Sequence, residues 1–459
     1  MKSHLHFMGI AGIGMSGLAR WYHADGYRVS GCDLQIGSAA ETLRSLGIEV
    51  AQGHSPDHLD GVDRLVYSTA VAADHPERRA ATARSLPSQR RIELLAELLG
   101  RKAGVTVTGT HGKSTTTGMI AQIFVGQDDD PSVLVGADLP AIGGNVRYGS
   151  GPRLIAEVDE SDPGFAALPS ELAVLTNLED DHVAGSFEER RNYHASLAAL
   201  EEATLRFARN ATRVLYCADW ARLHELLGEL PNAQSYGFDD DATYRIEAVA
   251  GRAEGSSFTL HTPDGERYPA SLTVPGRYNV QNAAAALASA HLCGLDVGAA
   301  SAELARFGGV GRRWQRRGSV RDALVIDDYA HHPTEVALTL EAARDTGRRV
   351  RAVLQPHRWI RTARHWPALA DAARLADEVI VLDIYGAGET PIEDVSPDLI
   401  VDRLVGHGVH AHYRTMPDAT RYLCDTLRPN DLVLTLGAGD VWKVARDVVA
   451  TAGGDDGSA

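Results

Sequence analysis

Short runs of β-branched and apolar residues alternate with stretches of helical spacing along most of this chain of 459 residues. Leu5 to Met8 reads as a strand, a glycine turn follows, and a helix near Met15 to Asp25 leads into a second strand at Arg28 to Cys32. That is βαβ organisation, in which helices connect parallel strands. Strand-like Arg64 to Tyr67 and helix-like Ile92 to Leu99 extend it, and Gly100 marks a boundary. A second set opens with Val105 to Val107, continues through Arg153 to Val158 and Leu172 to Asn177, and includes a helix at Asn279 to Leu292. Within it, the alternation from Arg245 to Leu272, broken by Pro263-Asp264-Gly265, predicts hairpins inserted into an α/β core. A third set places strands at Ala323 to Asp327, Val350 to Leu354, Glu378 to Leu382 and Asp431 to Leu436. Three doubly wound α/β units in series is the simplest architecture for these patterns. The Gly- and Asp-rich tail after Ala450 is expected to be disordered.

Length supports the same division, since a chain this long exceeds one core and matches roughly three domains. A formal charge of −16 argues against nucleic acid or an anionic membrane as a partner. Any anionic substrate must therefore be held by local cations. The four cysteines, Cys32, Cys217, Cys293 and Cys424, lie far apart without C-x-x-C spacing, so they read as small buried residues in a reducing compartment. No signal peptide or apolar run of spanning length is evident, and a cytoplasmic location is expected.

The first strand runs into Gly9-Ile-Ala-Gly12-Ile-Gly14-Met-Ser-Gly17, and Asp33 ends the next strand where a Rossmann-like fold places its ribose-binding acid. Alone, this predicts a diphosphate on a helix N-terminus, whether of NAD or of a nucleoside-diphosphate sugar. After Val105 to Val107 comes Thr108-Gly109-Thr110-His111-Gly112-Lys113-Ser114-Thr115. Glycines that free the backbone to aim N–H groups at an anion, a lysine, and a hydroxyl suited to magnesium make an ATP loop of the P-loop type. Val107 stands where the general G-x-x-x-x-G-K-[ST] pattern has its first glycine. Only four of the 45 basic side chains are lysines, Lys2, Lys102, Lys113 and Lys443, which sets Lys113 apart from a generic surface charge.

Four acids crowd the strand end from Glu157 to Asp162, either around a cation or as a solvated turn. Thr176-Asn177-Leu-Glu-Asp-Asp-His182 closes another strand, and His182 is either a metal ligand or a capping residue. Arg312, Arg313, Arg316 and Arg317 form the densest basic patch, which fits a phosphate clamp or plain salt bridges. Asp327-Asp328-Tyr329-Ala-His331-His332-Pro333 fits loop positioning better than tetrahedral zinc. Gln355-Pro-His357-Arg358-Trp-Ile-Arg361 offers two cations and an imidazole to a small carboxylate.

Taken in order, T-G-T-H-G-K-S-T, A-E-V-D-E-S-D, T-N-L-E-D-D-H, P-G-R-Y-N-V-Q-N, G-V-G-R-R, D-D-Y-A-H-H-P-T-E, L-Q-P-H-R-W-I-R-T and G-A-G-D span the chain, which resembles the Mur ligase family. The resemblance implies a UDP-sugar-binding Rossmann-like domain over 1–100, an ATP-binding mononucleotide domain over 101–314 and an amino-acid-binding Rossmann-like domain over 315–459. The H-H-P-T-E and Q-P-H-R segments resemble the branch that joins L-alanine to the lactoyl carboxylate of UDP-N-acetylmuramate through an acyl phosphate, using ATP and magnesium in peptidoglycan precursor synthesis. ATP phosphates would sit on Gly109, Thr110, His111, Gly112, Lys113, Ser114 and Thr115. Magnesium ions would be held by Ser114, Glu157 and His182. Asn177, Asn279, Asn282 and Asp327 or Asp328 would contact adenine and ribose, and Arg313 the phosphates. The amino acid would meet Tyr329, His331, His357, Arg358 and Arg361, with His331 as candidate base. UDP would lie on Gly12, Gly14 and Gly17 with Asp33, Ser68, Thr69 and Ala70. A monomer or homodimer is expected.

Three departures bear on this expectation. Tyr278 replaces the histidine usual before the first asparagine of G-x-H-N-x-x-N, and Trp359-Ile360 replaces Tyr-Thr. No lysine lies between 114 and 442, so the carbamylated lysine of several Mur ligases has no counterpart. Other readings account for less: an NAD-dependent oxidoreductase leaves the second loop unexplained, a non-catalytic regulator leaves the acids idle, and a ligase of preformed peptides fits the Q-P-H-R segment less well.

Overall fold

The computed structural model describes residues 2–68, 71–181, 183, 194–252 and 255–453. The strands Lys2–Met8, Tyr27–Asp33 and Arg64–Tyr67 form where the apolar runs predict them, each buried through its middle. With Glu49–Gln52 and Ser88–Arg90 they make a five-stranded parallel sheet in the order 3-2-1-4-5. The helix Ile13–Ala24 lies after the first strand and Arg91–Leu99 after the fifth.

A ten-stranded sheet follows. Its parallel centre sets Ala103–Thr108 between Ser170–Leu175 and Arg153–Glu157, so the chain leaves three adjacent strands at the same carboxyl edge. Ligands gather at such an edge in open α/β sheets. Beyond it, Ala211–Cys217 and Ala233–Gly237 lead to the hairpin strands Tyr244–Arg252, Gly255–His261 and Arg267–Leu272 that the alternation and the turn at Asp264 foretell. At the opposite edge Gly144–Arg147 runs antiparallel to Ser132–Leu139. A third, six-stranded sheet takes the order Gln315–Val320, Ala323–Asp328, Asp431–Leu436, Arg349–Leu354, Glu378–Val381, His410–Tyr413.

Several strands lie outside the expected set, among them Glu49–Gln52, Ser132–Leu139, Ala211–Cys217 and His410–Tyr413, and two of the others show why. Gln315–Val320 is an antiparallel edge strand drawn from the arginine patch, and its side chains explain why a basic run folds there. Arg317 Nη2 and Arg312 Nε each lie 3.2 Å from Asp327 Oδ2, and Asp327 is fully buried. Of the readings open for the patch, these two arginines take the salt-bridge one. Gly144–Arg147 shows no long apolar run and was not expected either.

Packing divides the chain into two compact units, Met1–Glu247 with Leu260–Tyr268 and Gln281–Leu304, and Ala248–Thr259 with Pro269–Val280 and Ala305–Ala459. The first holds residues on both sides of Gly100. Inside it the helix Ile13–Ala24 packs on the second sheet: Trp21 Nε1 donates to Ser132 Oγ at 3.0 Å, and a Cβ added at Gly17 would come 3.3 Å from Val146. Among the described residues no helix is long and apolar enough to cross a membrane.

Candidate active site

In the first unit, residues 109–115 connect Ala103–Thr108 to the helix Lys113–Gly126. Gly109 (φ 131°) and Gly112 (φ 80°) hold left-handed conformations, and crowding enforces both. A Cβ at Gly109 would meet Thr176 Oγ1 at 2.3 Å; one at Gly112 would meet Asn282 Oδ1 at 2.8 Å. The loop is braced from below. Asn177 Oδ1 accepts from His111 N at 2.7 Å while Asn177 Nδ2 donates to His111 O at 3.0 Å, so this amide locks the loop backbone. Thr176 Oγ1 donates to the same carbonyl at 2.6 Å, Glu179 N donates to Thr110 Oγ1 at 2.8 Å, and His111 Nε2 lies 3.1 Å from Glu179 Oε2.

Lys113 Nζ donates to Gly109 O at 2.6 Å and to Glu160 Oε2 at 2.7 Å. Burial disfavours its charge, but Glu160, Asp159 and Glu157 outweigh that and hold its pKa above the ordinary lysine value. The ammonium stays charged at the mouth of the loop. Ser114 Oγ donates to Glu157 Oε1 at 3.1 Å, and Glu157 Oε2 accepts from Gly136 N at 2.7 Å. Thr115 is buried in the first helical turn. Asn282 Oδ1 also accepts from Thr116 Oγ1 at 3.1 Å. Lys113, Ser114 and Glu157 thus come together as expected, whereas His182 lies outside the described residues.

The other glycine turn sits at the end of Lys2–Met8. Asp33 accepts from Ala11 N at 3.0 Å and from Gln35 N at 3.1 Å, tying the turn to the second strand. Gly12 caps the helix Ile13–Ala24 with no side-chain bond, which leaves its first N–H groups to an anion. A Cβ at Gly14 would lie 2.9 Å from Arg91 Nη1, so a guanidinium that the sequence reading did not single out stands over this helix start. Ser68 lies beside Gly9, 3.7 Å from its added Cβ. Thr69 and Ala70 fall outside the described residues.

The second unit collects its charged groups at the carboxyl edge of the third sheet. Asp328 Oδ2 accepts from Trp314 N at 2.7 Å and Oδ1 from Ala330 N at 2.8 Å; burial pushes its pKa up to about 6 against the pull of Arg313. Asp327, one of the two aspartates expected near the nucleotide, is fully buried against Arg312, Arg317 and Thr435 Oγ1. Asn279 Nδ2 donates to Pro275 O at 2.7 Å. Burial, then Asp328, raises the Tyr278 pKa. Arg313 stacks 4.8 Å over the Tyr329 ring and lies 3.5 Å from Glu335.

His331 Nδ1 lies 3.0 Å from Tyr329 O and 3.2 Å from Glu335 Oε2. Both partners only accept, so Nδ1 carries a hydrogen, and Nε2 holds the lone pair whenever the ring is neutral. Glu335 also closes the capping box of the helix Pro333–Asp345. The His331 ring meets His357 edge-on at 5.6 Å, and His357 stacks on Tyr385 at 5.6 Å. Burial, then His331, Arg361 and Arg358, push the His357 pKa down to about 3, so this imidazole stays neutral. Arg358 adopts φ 66° at the start of the helix Trp359–Ala373. Its Nε donates to Glu389 Oε1, and Ile360 N donates to Glu389 Oε2 at 3.2 Å. A cation plus a helix N-terminus therefore grips a carboxylate, the arrangement expected for a small acid. Trp359 lies against Gly386, where an added Cβ would be 2.9 Å from Nε1.

Three family models cover most of the chain in order: "Mur ligase family, catalytic domain" over residues 4–103, "Mur ligase middle domain" over 107–290 and "Mur ligase, glutamate ligase domain" over 312–439. A UDP-N-acetylmuramate–L-alanine ligase of Deinococcus radiodurans is 46% identical over 97% of this chain and 93% of its own length. The chain belongs to the Mur ligase family. A second relative with the same printed activity, from Gloeobacter violaceus, is 39% identical over 97% of this chain and 95% of its own. The crystal structure of the UDP-N-acetylmuramate-alanine ligase of Thermotoga maritima superposes with a TM-score of 0.83 at 29% identity, covering 98% of this Mur ligase and 99% of that chain. A murein peptide ligase of Psychrobacter arcticus shares the fold, with a TM-score of 0.69 at 24% identity over 98% and 99% of the two chains.

Proposed function

We propose that this Mur ligase joins L-alanine to the lactoyl carboxylate of UDP-N-acetylmuramate, driven by ATP, in peptidoglycan precursor synthesis. The observation that carries this reading is full-length likeness, at 46% identity, to a ligase of that named activity, in a chain whose phosphate loop is intact. A lactoyl carboxylate oxygen attacks the γ-phosphorus, ADP leaves, and an acyl phosphate forms. The alanine nitrogen attacks the acyl carbon, inorganic phosphate leaves, and the amine proton passes to a base.

Each step finds suitable groups in the chain. N–H groups of residues 109–115 and the Lys113 ammonium suit the terminal phosphates, and in releasing Glu160 for phosphate oxygens Lys113 would gather charge where the transferring group develops it. Ser114 and Glu157 supply hydroxyl and carboxylate oxygens, hard donors that fit magnesium. When bound, that ion neutralises charge on the β- and γ-phosphates. Arg358 and the helix start at Ile360 suit the alanine carboxylate in place of Glu389. His331 Nε2 is the proposed proton acceptor, and His357, neutral and weakly basic, shapes the pocket instead. The glycine turn with Gly12, Gly14 and Gly17, joined by Arg91, is assigned to the UDP diphosphate. We assign these roles to domains 1–100, 101–314 and 315–459 of a cytoplasmic monomer or homodimer.

Incubation with ATP, UDP-N-acetylmuramate and one acceptor at a time tests the reading. L-Alanine is expected to release phosphate fastest, ahead of glycine, L-serine and an alanine-containing tripeptide. Preference for the tripeptide would move the protein to the peptide-ligase branch.

A further inference from the structure

A second cluster of ligand atoms lies in the first sheet, in groups the ligation does not use. His6 on Lys2–Met8, Cys32 on Tyr27–Asp33, His58 on the turn Pro56–Leu59 and Glu77 on the helix Pro76–Ala83 place one such atom each within 4.8 Å of one another. Glu77 is fully buried at their centre. His6 Nε2 stands 3.3 Å, His58 Nδ1 3.4 Å and Cys32 Sγ 3.5 Å from its Oε1. His54 Nδ1 flanks the group, 3.3 Å from Glu77 Oε2 and 3.1 Å from Cys32 Sγ. Four different elements supply these residues, so no spacing motif announces them.

The hydrogen-bond chain behind His6 decides what its ring offers. Gly61 O only accepts, so His4 Nδ1, 3.0 Å away, donates to it. His4 Nε2 and His6 Nδ1 each lie 2.8 Å from Ser30 Oγ, so this chain fixes the orientation of the His6 ring. His6 Nε2 is thereby aimed at Glu77 Oε1, and this buried nitrogen has no hydrogen-bond partner among the described residues. A buried ring nitrogen and a buried carboxylate facing each other in this way suit a shared cation.

We propose that His6 Nε2, Cys32 Sγ, His58 Nδ1 and a Glu77 oxygen form a tetrahedral site for a divalent transition metal of the zinc class. Bond lengths of about 2.0–2.3 Å put neighbouring tetrahedral ligands about 3.3–3.8 Å apart, the range of the three distances to Glu77. The His58 side chain, 23% exposed, has room to close the remaining gaps. Doing so exchanges the weak 3.3 Å contact from Ser55 N for a metal bond. Binding forms four metal–ligand bonds, and the Cys32 thiol releases its proton to solvent. Thiolate and carboxylate then balance the dication, leaving a neutral buried complex. The Gly61–His4–Ser30 chain orients His6, and His54 supports the thiolate and carboxylate, as outer groups do around protein-bound zinc. Asp33, next to Cys32, grips the glycine turn, so the metal would stiffen that turn from behind.

The test is cobalt titration of the full-length protein after chelator treatment, with folding checked by circular dichroism. One equivalent should give intense tetrahedral d–d bands and a near-ultraviolet sulfur-to-cobalt charge-transfer band, both displaced by zinc. Cys32→Ser should lose the charge-transfer band, and the conservative His58→Asn should weaken cobalt binding by at least about tenfold. Octahedral cobalt without the sulfur band, a band that survives Cys32→Ser, or unchanged affinity in His58→Asn would overturn the site. None of these readouts depends on ligase activity, so failure here leaves the assigned reaction standing.

Discussion

Lys113 is held charged by carboxylates, and in the proposed reaction, where phosphate oxygens would replace them, its loss should be felt most. Lys113→Ala should cut phosphate release about a thousandfold while leaving UDP-sugar binding, followed by calorimetry, within about twofold. Undiminished turnover would remove Lys113 from the phosphate site. His331 depends on Glu335 for its orientation, so Glu335→Gln should lower kcat about tenfold with the KM for ATP unchanged. A rise in ATP KM alone would instead give Glu335 a nucleotide role. Lys113, Ser114, Glu157, His331 and Arg358 were legible because each belongs to a motif at a strand end, where loop chemistry concentrates. Their partners were not. Which of the acids after Glu157 meets the lysine is decided by the turn that buries Glu160, and Glu389 reaches Arg358 across 31 residues that carry no local signal.

Elements set these positions. The strand Ala103–Thr108 lies between two parallel neighbours, and its loop turns back only because Gly109 and Gly112 accept left-handed backbone beside Thr176 and Asn282. Gly112→Ala should therefore cost about 1–2 kcal/mol of local stability and raise the KM for ATP; adding Asn282→Ala should recover only the steric part. A Gly112→Ala protein with an unchanged ATP KM would contradict the loop's assigned role. The central strand Ala103–Thr108 and its neighbours Arg153–Glu157 and Ser170–Leu175 were readable as apolar runs, since burial on both faces demands them. The edge strand Gln315–Val320 was not: it is arginine-rich because its charges fold back on Asp327, and a sequence pattern shows the charge without the partner.

At the scale of the whole molecule, buried charge governs stability. Arg351, 1% exposed, pairs with both Glu378 and Asp431, and Arg349 is the other arginine on the same two carboxylates, so Arg351→Ala removes one of two cationic partners and should cost about 1–3 kcal/mol in denaturant unfolding. The depressed pKa of His357 adds a pH dependence: the folded state binds fewer protons than the unfolded one between about 3 and 6.5. Its contribution is thus whole above pH 6.5 and is lost as pH falls, by about 2 kcal/mol at pH 5. His357→Asn should flatten the stability profile between pH 7.5 and 5 by that amount, and an unaltered profile would contradict the neutral imidazole. The central claim is that ATP activates the lactoyl carboxylate, and oxygen transfer tests it most directly. With both carboxylate oxygens labelled with heavy oxygen, the phosphate released in the presence of L-alanine should carry one labelled oxygen per molecule, with the other left in the new amide. Phosphate free of label, formed alongside product, would contradict the acyl-phosphate account.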